Sequence, residues 1–187
     1  LVPVLVLAAL TPSALSQSAG QPQTVALSSD PIAQAEQLGQ EGRLIQAQAE
    51  LRKLTGPDAS TLSDQDRVRA LSLLAKLDAQ IARTDRHEIS VQKAALALAE
   101  GDVRQARRQA RAVANRADAP AKARLAAEEL LAQAYARVES IQPMIGEIMA
   151  RAETDFLAKR YPASKAGLDL AYHSDATLTP EQQAAYD

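Results

Sequence analysis

The sequence predicts an all-α protein, a solenoid of antiparallel helices with about three helices in each 59-residue unit. Apolar residues recur at helical spacing along most of the chain, and we find no segment with the pattern of a strand. A Glu-Gly turn at Gly42 returns at Gly101, and the same offset, applied once more, reaches Arg160. Alanine supplies much of the 47% hydrophobic fraction and aromatic residues only 3%, which favours closely packed helices with small side chains between them.

The composition and charge exclude several classes of function. The formal net charge is −2 and the isoelectric point is near 5.8, so the chain lacks the basic footprint of nucleic-acid binding. There is no cysteine, which excludes disulfides, thiol catalysis and thiolate metal sites. Glycines stand singly, so no phosphate-binding glycine loop is present. A length of 187 residues suits one ordinary domain.

Residues 1–18 are predicted to be a partial signal peptide. Residues 1–10 (LVPVLVLAAL) form an apolar run of signal-peptide length that is too short to cross a membrane, and no later stretch is longer. Ala14 and Ser16 fit a cleavage site, and a basic region would lie upstream of the sequence. An N-terminal anchor or a buried helix is the alternative. We therefore expect an exported protein, periplasmic or associated with the cell envelope, with residues 19–29 as a flexible linker.

The α-helical repeat domain is predicted over residues 30–187. Asp30 and Pro31 mark its start, because a capping carboxylate precedes proline at the first helical position. The first helix is predicted over residues 32–41 and the second over residues 44–54, with the Gly42 turn between them.

A longer third helix is predicted to close each unit. Leu62 and Ala121 mark the starts of the first two of these helices, and their separation equals that of Gly42 and Gly101. Ser63 or Asp64 would cap the first, which runs to about residue 83, and the second runs to about residue 140. The side chains expected to face the core are Val68, Leu71, Leu74, Ala75, Leu77 and Ile81 in the first, and Leu125, Leu131, Tyr135 and Val138 in the second.

The same hairpin is predicted twice more. In the second unit it covers residues 88–100 and 102–116, and in the third it covers residues 144–159 and 163–173. A last helix over residues 178–186 would begin the third helix of that unit, so the domain is expected to be truncated at its C-terminus. The residues expected to face inward in the second hairpin are Val91, Ala94, Ala95, Leu98, Val103, Ala106, Ala110 and Val113.

The turn ALALAEGDVRQA, residues 95–106, resembles that of a tetratricopeptide repeat. In that family a small residue in helix A precedes a Gly-Asp-aromatic turn, and alanine recurs in helix B. Here Arg43 replaces the aspartate in the first copy, Arg160 replaces the glycine in the third, and the aromatic positions are not met. The resemblance covers the three helix–turn–helix segments. It implies a superhelical stack whose concave face binds peptides or proteins and carries no catalytic residues.

The chain is also similar, more distantly, to the helical N-terminal extensions of some bacterial secretins, the outer-membrane channels of type II secretion. The features that carry this similarity are the N-terminal apolar run, the same turn and the long first and third helices. The sequence contains none of the secretin channel domain.

Four arginines, Arg104, Arg107, Arg108 and Arg111, form the candidate partner-contact face. Their spacing of i, i+3, i+4 and i+7 places them on one side of a helix, where an acidic partner, an anionic lipid or nucleic acid could dock. A solvated face opposite the apolar stripe explains the same spacing and is the preferred interpretation. No aromatic residues interleave with the arginines for stacking on bases, so we expect no nucleic-acid site.

Catalytic and metal sites are not expected. His87 and His173 are the only histidines and lack the spacing of a helical zinc site, so His87 is predicted in a loop and His173 at a helix C-terminus. Ser90 and Ser174 do not stand in a nucleophile-elbow motif. The aromatic residues expected in the core, with a groove lining as the alternative, are Tyr135, Phe156, Tyr161 and Tyr172.

The sequence thus predicts an exported helical-repeat scaffold or adapter that mediates protein–protein interaction in the cell envelope. It is expected to bind a protein or peptide, with no cofactor and no small-molecule substrate, and not to be an enzyme. One alternative is a helical spacer of a larger envelope or secretion-system protein whose functional domain lies beyond Asp187. Another is an envelope enzyme whose catalytic part is missing from this sequence.

Overall fold

Helices form most of the described chain, which in this computed structural model is residues 30–56 and 62–186. The predicted all-α class is confirmed, with no strand in either range. The predicted signal peptide and linker, residues 1–18 and 19–29, lie outside the described residues. The helices are α1 (Pro31–Gln40), α2 (Leu44–Thr55), α3 (Asp64–Ile81), α4 (Arg86–Ala99), α5 (Val103–Ala114), α6 (Ala121–Ile141), α7 (Ile145–Leu157), α8 (Tyr161–His173) and α9 (Pro180–Tyr186). None of these helices is both long enough and apolar enough to cross a membrane.

The hairpins α1–α2, α4–α5 and α7–α8 share one turn geometry. Backbone φ is +80° at Gly42, +86° at Gly101 and +60° at Lys159, the left-handed conformation that often follows a helix. In each turn the next residue's N–H donates to a carbonyl five residues earlier, at 2.9, 2.8 and 2.8 Å. The third turn therefore centres on Lys159, and its predicted equivalence to Arg160 is wrong by one residue. The second and third turns are thus one residue closer along the chain than the first and second.

Lys159→Gly is expected to stabilise the third hairpin. A side chain at positive φ is strained, and the first two hairpins place glycine at this position. The gain should be on the order of 0.5–1 kcal/mol, because relief of strain outweighs the added freedom of glycine in the unfolded chain. Chemical denaturation measures the free energy of unfolding. The matched control is Gly101→Ala, which should lose a similar amount, since a Cβ there meets open space and only the φ angle resists it.

The third helix of each group, α3 and α6, does not keep the spacing that separates the turns at Gly42 and Gly101. The Ser63 hydroxyl accepts the Asp66 N–H at 3.1 Å, so α3 begins at Asp64, whereas α6 begins at Ala121. The predicted start at Leu62, and with it the predicted offset to Ala121, is therefore wrong. The connection from α2 to α3 is two residues longer than the connection from α5 to α6, which accounts for the difference.

The first six helices pack in two groups of three, which we call the first and second units. Helices α1, α2 and α3 contact one another around one apolar cluster, and α4, α5 and α6 do the same around a second. Helices α7 and α8 form a third hairpin, where Gly167 lets the backbones approach because a Cβ there would lie 3.0 Å from the Ala152 Cβ. Small residues are buried at matching positions of the three hairpins, namely Ala35, Ala94 and Ala152 in the first helix and Ala47, Ala106 and Ser164 in the second.

The hairpins meet through two different junctions. At the first, α2 packs against α4, and the Gln92 side chain accepts the Ile45 N–H at 3.2 Å and donates to the Gly42 carbonyl at 2.9 Å. At the second, α5 contacts α8. The position that matches Gln92 in the third hairpin is Ala150, which has no amide to form this bridge. The second junction therefore depends on other side chains.

A short 3-10 turn, Gln142–Met144, joins α6 to α7. The Gln142 side chain accepts the Thr177 N–H at 2.9 Å and donates to the Thr177 carbonyl at 3.1 Å, which ties this turn to the loop between α8 and α9.

The linker before α6 is held against α4 by Asp118. Its carboxylate accepts hydrogen bonds from Arg116 at 2.9 and 3.1 Å and from Arg86 at 2.5 Å. The Arg116 guanidinium, above all, holds the pKa of the Asp118 carboxyl well below its ordinary value.

Several helices bury a different face from the one that the sequence predicts. Ala95 is exposed, whereas Ala97, which was not among the predicted core residues, is buried. In the third helices the core face consists of Ala70 and Leu77 in α3 and of Ala127 and Ala134 in α6. The predicted core residues that lie exposed are Val68, Leu71, Ala75, Leu125, Tyr135, Phe156, Tyr161 and Tyr172.

Candidate functional site: an arginine-lined groove

The four arginines of the predicted contact face line a single groove on α5. Its volume is about 480 Å³, and we name it the arginine groove. The residues that line it are Arg104, Arg107, Arg108, Arg111, Ala112, Asn115 and Asp175. The helical spacing brings the arginines together, and α5 begins firmly because the Asp102 carboxylate accepts the Gln105 N–H at 2.8 Å.

Arg107 is largely buried and Arg104 is partly buried, so the solvated face that is the preferred interpretation of the sequence describes only Arg108 and Arg111 fully. Arg107 forms a salt bridge with Asp175, and the Arg104 Nε lies 3.5 Å from the same carboxylate without hydrogen-bond alignment. Asp175 follows α8 and adopts the left-handed conformation, with φ of +57°. The chain therefore changes direction at the end of the helix, at the residue that carries this carboxylate. These contacts join α5 to the third hairpin.

Aromatic rings support the same two guanidinium groups. The Arg104 guanidinium lies 4.1 Å from the centroid of the Tyr172 ring, and that of Arg107 lies 4.4 Å from the centroid of the Tyr135 ring. Cation–π contacts of this kind fix a guanidinium while leaving its edges available for hydrogen bonds. The two tyrosine rings therefore help to hold the Arg104 and Arg107 guanidinium groups in place.

Arg108 and Arg111 are exposed, as the sequence predicts for a charged face. Arg108 donates to the Gln105 side chain, and Arg111 donates to the Tyr135 hydroxyl at 2.8 Å. A guanidinium has five N–H donors, so each keeps donors that no described residue engages. The groove thus presents two positioned cations that can bind carboxylates in a bidentate manner.

Tyr135 is expected to ionise below the ordinary pKa of a tyrosine. Arg107, whose guanidinium lies over the ring, and Arg111, which donates to the hydroxyl, both favour the phenolate, so they lower the pKa of Tyr135. The phenolate absorbance measured against pH, as a difference from the Tyr135→Phe variant, gives this pKa directly. Arg111→Gln should move it back towards the ordinary value. An unchanged titration in Arg111→Gln would contradict the geometry of the groove.

The two histidines lie at the ends of different helices, His87 at the start of α4 and His173 at the end of α8. His87 is buried in the first turn of α4, so its predicted loop position is wrong. His173 ends α8 as predicted, and its Nδ1 lies 3.1 Å from an Asp102 carboxylate oxygen without hydrogen-bond alignment. The Ser90 and Ser174 hydroxyls donate to the main-chain carbonyls of Arg86 and Ala171. Within residues 30–56 and 62–186, no group of three acidic or histidine side chains could hold a metal ion.

The comparisons with known proteins add no relative. Protein-family models, curated proteins and solved structures all fail to match this chain.

The sequence shows that the four arginines share one face of a helix, but it gives no sign of the residues that contact them. Asp175, Tyr135 and Tyr172 come from helices and loops far from α5 along the chain, and their proximity is a property of how α6 and α8 pack. A lone aspartate after a helix carries no pattern that could point to α5.

Proposed function

We propose that this chain is a helical-repeat scaffold that binds an acidic segment of a protein partner in the arginine groove. The observation that carries the proposal is that four arginines and only one carboxylate line the same groove. Asp175 lies beside both Arg104 and Arg107, and Arg108 and Arg111 have no carboxylate beside them in this groove, so these two are the cations that we expect a partner to meet.

The chemistry of the groove favours carboxylates on a polypeptide. Arg108 and Arg111 are one helical turn apart on α5, so their guanidinium groups lie close enough to bind neighbouring acidic side chains. No aromatic residue stands between these two arginines in the sequence, and the rings of Tyr135 and Tyr172 beside the groove already carry the guanidinium groups of Arg107 and Arg104, which leaves bases less ring surface to stack on. An acidic peptide therefore fits better than a nucleic acid.

The proposed setting is the cell envelope. The apolar run of residues 1–10 supports export, and the three matching turns support a tetratricopeptide-like stack in which hairpins present side chains to a partner. The proposed role is that of an adapter, since the arrangement offers a charged recognition surface.

Binding of a glutamate-rich peptide tests this proposal. The peptide, labelled with a fluorophore, is titrated with the protein at low salt, and its glutamine counterpart serves as the control ligand. The double variant R108Q/R111Q should bind the glutamate peptide about tenfold more weakly or worse, because it removes both exposed cations. Higher salt should weaken the wild-type complex.

The matched control variant is K76Q/R83Q. It removes two exposed positive charges from the first unit and its boundary, so it has the same net charge as the groove variant. We expect it to bind like the wild type. Equal affinity for the two peptides, or equal losses in the two variants, would contradict a specific groove and would favour the helical-spacer alternative.

A further inference from the structure

Asp175 is the only carboxylate among the described residues that line the arginine groove. It lies in the loop after α8, so it reaches α5 from the third hairpin. Its carboxylate forms a salt bridge with Arg107 and lies 3.5 Å from the Arg104 Nε. A carboxylate beside guanidinium groups is also what an acidic partner would bring to this groove. Asp175 therefore occupies a position that suits a carboxylate of the partner.

One carboxylate does not satisfy the two guanidinium groups beside it. The Arg104 Nε and the Arg107 Nε are buried, and neither has a hydrogen-bond partner among the described residues. Buried donors without partners cost free energy, so this arrangement is less stable than one in which every donor is paired. The pair of arginines can therefore bind more acceptor atoms than Asp175 supplies.

The first junction has an apolar contact where the second has charges. Ile45 in α2 is buried in one cluster with Ile89 of α4. Through the turn spacings, Ile45 matches Arg104 in α5, and Ile89 matches Glu147 in α7. The Arg104 side chain is 42% exposed, and Glu147 is exposed as well. The second junction thus lacks this apolar pair and depends on ionic contacts, which an equivalent ion can replace.

The main chain around Asp175 belongs to the third hairpin. The buried Ser174 hydroxyl donates to the Ala171 carbonyl at 2.7 Å and accepts the Ala176 N–H at 3.2 Å. Gln142 holds Thr177 in the same loop. An aspartate side chain is short, so it cannot carry its carboxylate far from this loop. A second carboxylate at the same arginines would therefore repel Asp175 and push the end of α8 away from α5.

The arginines form two pairs along α5, Arg104 with Arg107 and Arg108 with Arg111. The midpoints of the two pairs are four residues apart, which is about 6 Å along the helix axis. In an extended polypeptide, alternate side chains point to the same side and are spaced by about 6–7 Å. A segment with acidic residues at alternate positions therefore matches both pairs.

We propose that Arg104 and Arg107 form a second carboxylate subsite of the arginine groove, which Asp175 occupies as an internal ligand. A partner segment with acidic residues at alternate positions binds Arg108 and Arg111 with one carboxylate and displaces Asp175 with the next. Displacement releases the third hairpin from α5. This inference rests on the proposed function, and it adds that binding of the partner and docking of the third hairpin exclude each other.

A double-mutant cycle measures the competition. The probe is a fluorophore-labelled peptide in which glutamate alternates with serine, titrated with the full chain at low salt by fluorescence anisotropy. Asp175→Asn should bind it about tenfold more tightly than the wild type, because a neutral amide competes poorly for the two arginines. The double variant R104Q/R107Q should lose about tenfold more affinity in the Asp175→Asn background than in the wild-type background.

The comparison of backgrounds separates displacement from a general effect of charge. A charge that acts only from a distance changes the affinity by the same factor whether or not the two arginines are present. Asp169→Asn removes a carboxylate of α8 that does not line the groove, and it should bind the peptide like the wild type. If circular dichroism shows that R104Q/R107Q has lost helix, Arg104→Gln alone takes its place, since Arg104 is the more exposed of the two.

Hydrogen exchange detects the release of the third hairpin. Saturation of the wild type with the peptide should speed exchange at the backbone amides of α7 and α8 and leave those of α1 to α3 unchanged. The same acceleration is expected in Asp175→Asn without peptide.

Two results would overturn this inference while the proposed function stands. In the first, the wild type prefers the glutamate peptide to its glutamine counterpart, but R104Q/R107Q lowers the affinity by the same factor in both backgrounds. In the second, the bound peptide slows exchange in α7 and α8 or leaves it unchanged. If the peptide binds neither the wild type nor Asp175→Asn, the proposed function is overturned as well.

Discussion

Ala94→Asp is expected to unfold the second unit of the chain. Ala94 is fully buried in α4, in a cluster with Ala110, Val113, Ala119 and Ala127. A carboxylate there would be unpaired and out of contact with water, and its extra atoms would separate α4 from α5 and α6. A buried charge without a partner costs at least about 3 kcal/mol, which is a large part of the stability of an ordinary domain.

Ala95→Asp is the matched control for this prediction. It makes the same substitution one residue later on the same helix, where the side chain is exposed and where the matching position in α1 is Glu36. We expect its free energy of unfolding to stay within about 0.5 kcal/mol of the wild type. Thermal melts followed by circular dichroism compare the two variants. If both melt like the wild type, or both unfold, the orientation of α4 described above is wrong.

This pair of alanines shows how far the sequence can determine the fold. Both were predicted to face inward, because an alanine-rich helix has several stripes that satisfy helical spacing equally well. The helix boundaries were easier to predict, since glycine and capping residues such as Ser63 and Asp102 act locally. The direction of a face depends on where the next helix packs, and small side chains give little indication of that.

The third turn illustrates the same limit. The sequence offers no glycine there, so an alignment by constant spacing selects Arg160. In the structure the left-handed residue is Lys159. Arg160 instead pairs with the buried Asp155, and the Arg160 Nε donates to the Asp155 carboxylate at 2.9 Å. A buried aspartate at a position that holds Leu38 and Ala97 in the other hairpins cannot be anticipated from periodicity.

For the arginine groove, the sequence determined which residues share a face but not what they contact. Helical spacing alone places Arg104, Arg107, Arg108 and Arg111 together. Whether each one meets water or protein depends on the position of α8, which is separated from α5 by two intervening helices and joins it by polar contacts. Long-range polar contacts leave no periodic signal in the sequence.

Asp175→Asn is expected to loosen the third hairpin from α5. Asparagine keeps the shape and tolerates the left-handed conformation of Asp175, so the change removes mainly the charge that Arg104 and Arg107 share. Both partners of the Arg107 salt bridge are more than two thirds buried, so Arg107 would lose the carboxylate that balances its charge at this junction. The cost should be about 1–3 kcal/mol.

Hydrogen exchange resolves where that loss falls. Backbone amides of α7 and α8 should exchange faster in Asp175→Asn, whereas those of α1 to α3 should keep their wild-type protection, because the first unit has its own core. Asp169→Asn is the matched control, since Asp169 lies partly exposed on α8 and pairs with Lys165 of the same helix. The difference between the two variants should shrink at high salt. Uniform loss of protection along the chain would mean that the third hairpin is part of one cooperative core, and that its polar junction with α5 is not what holds it in place.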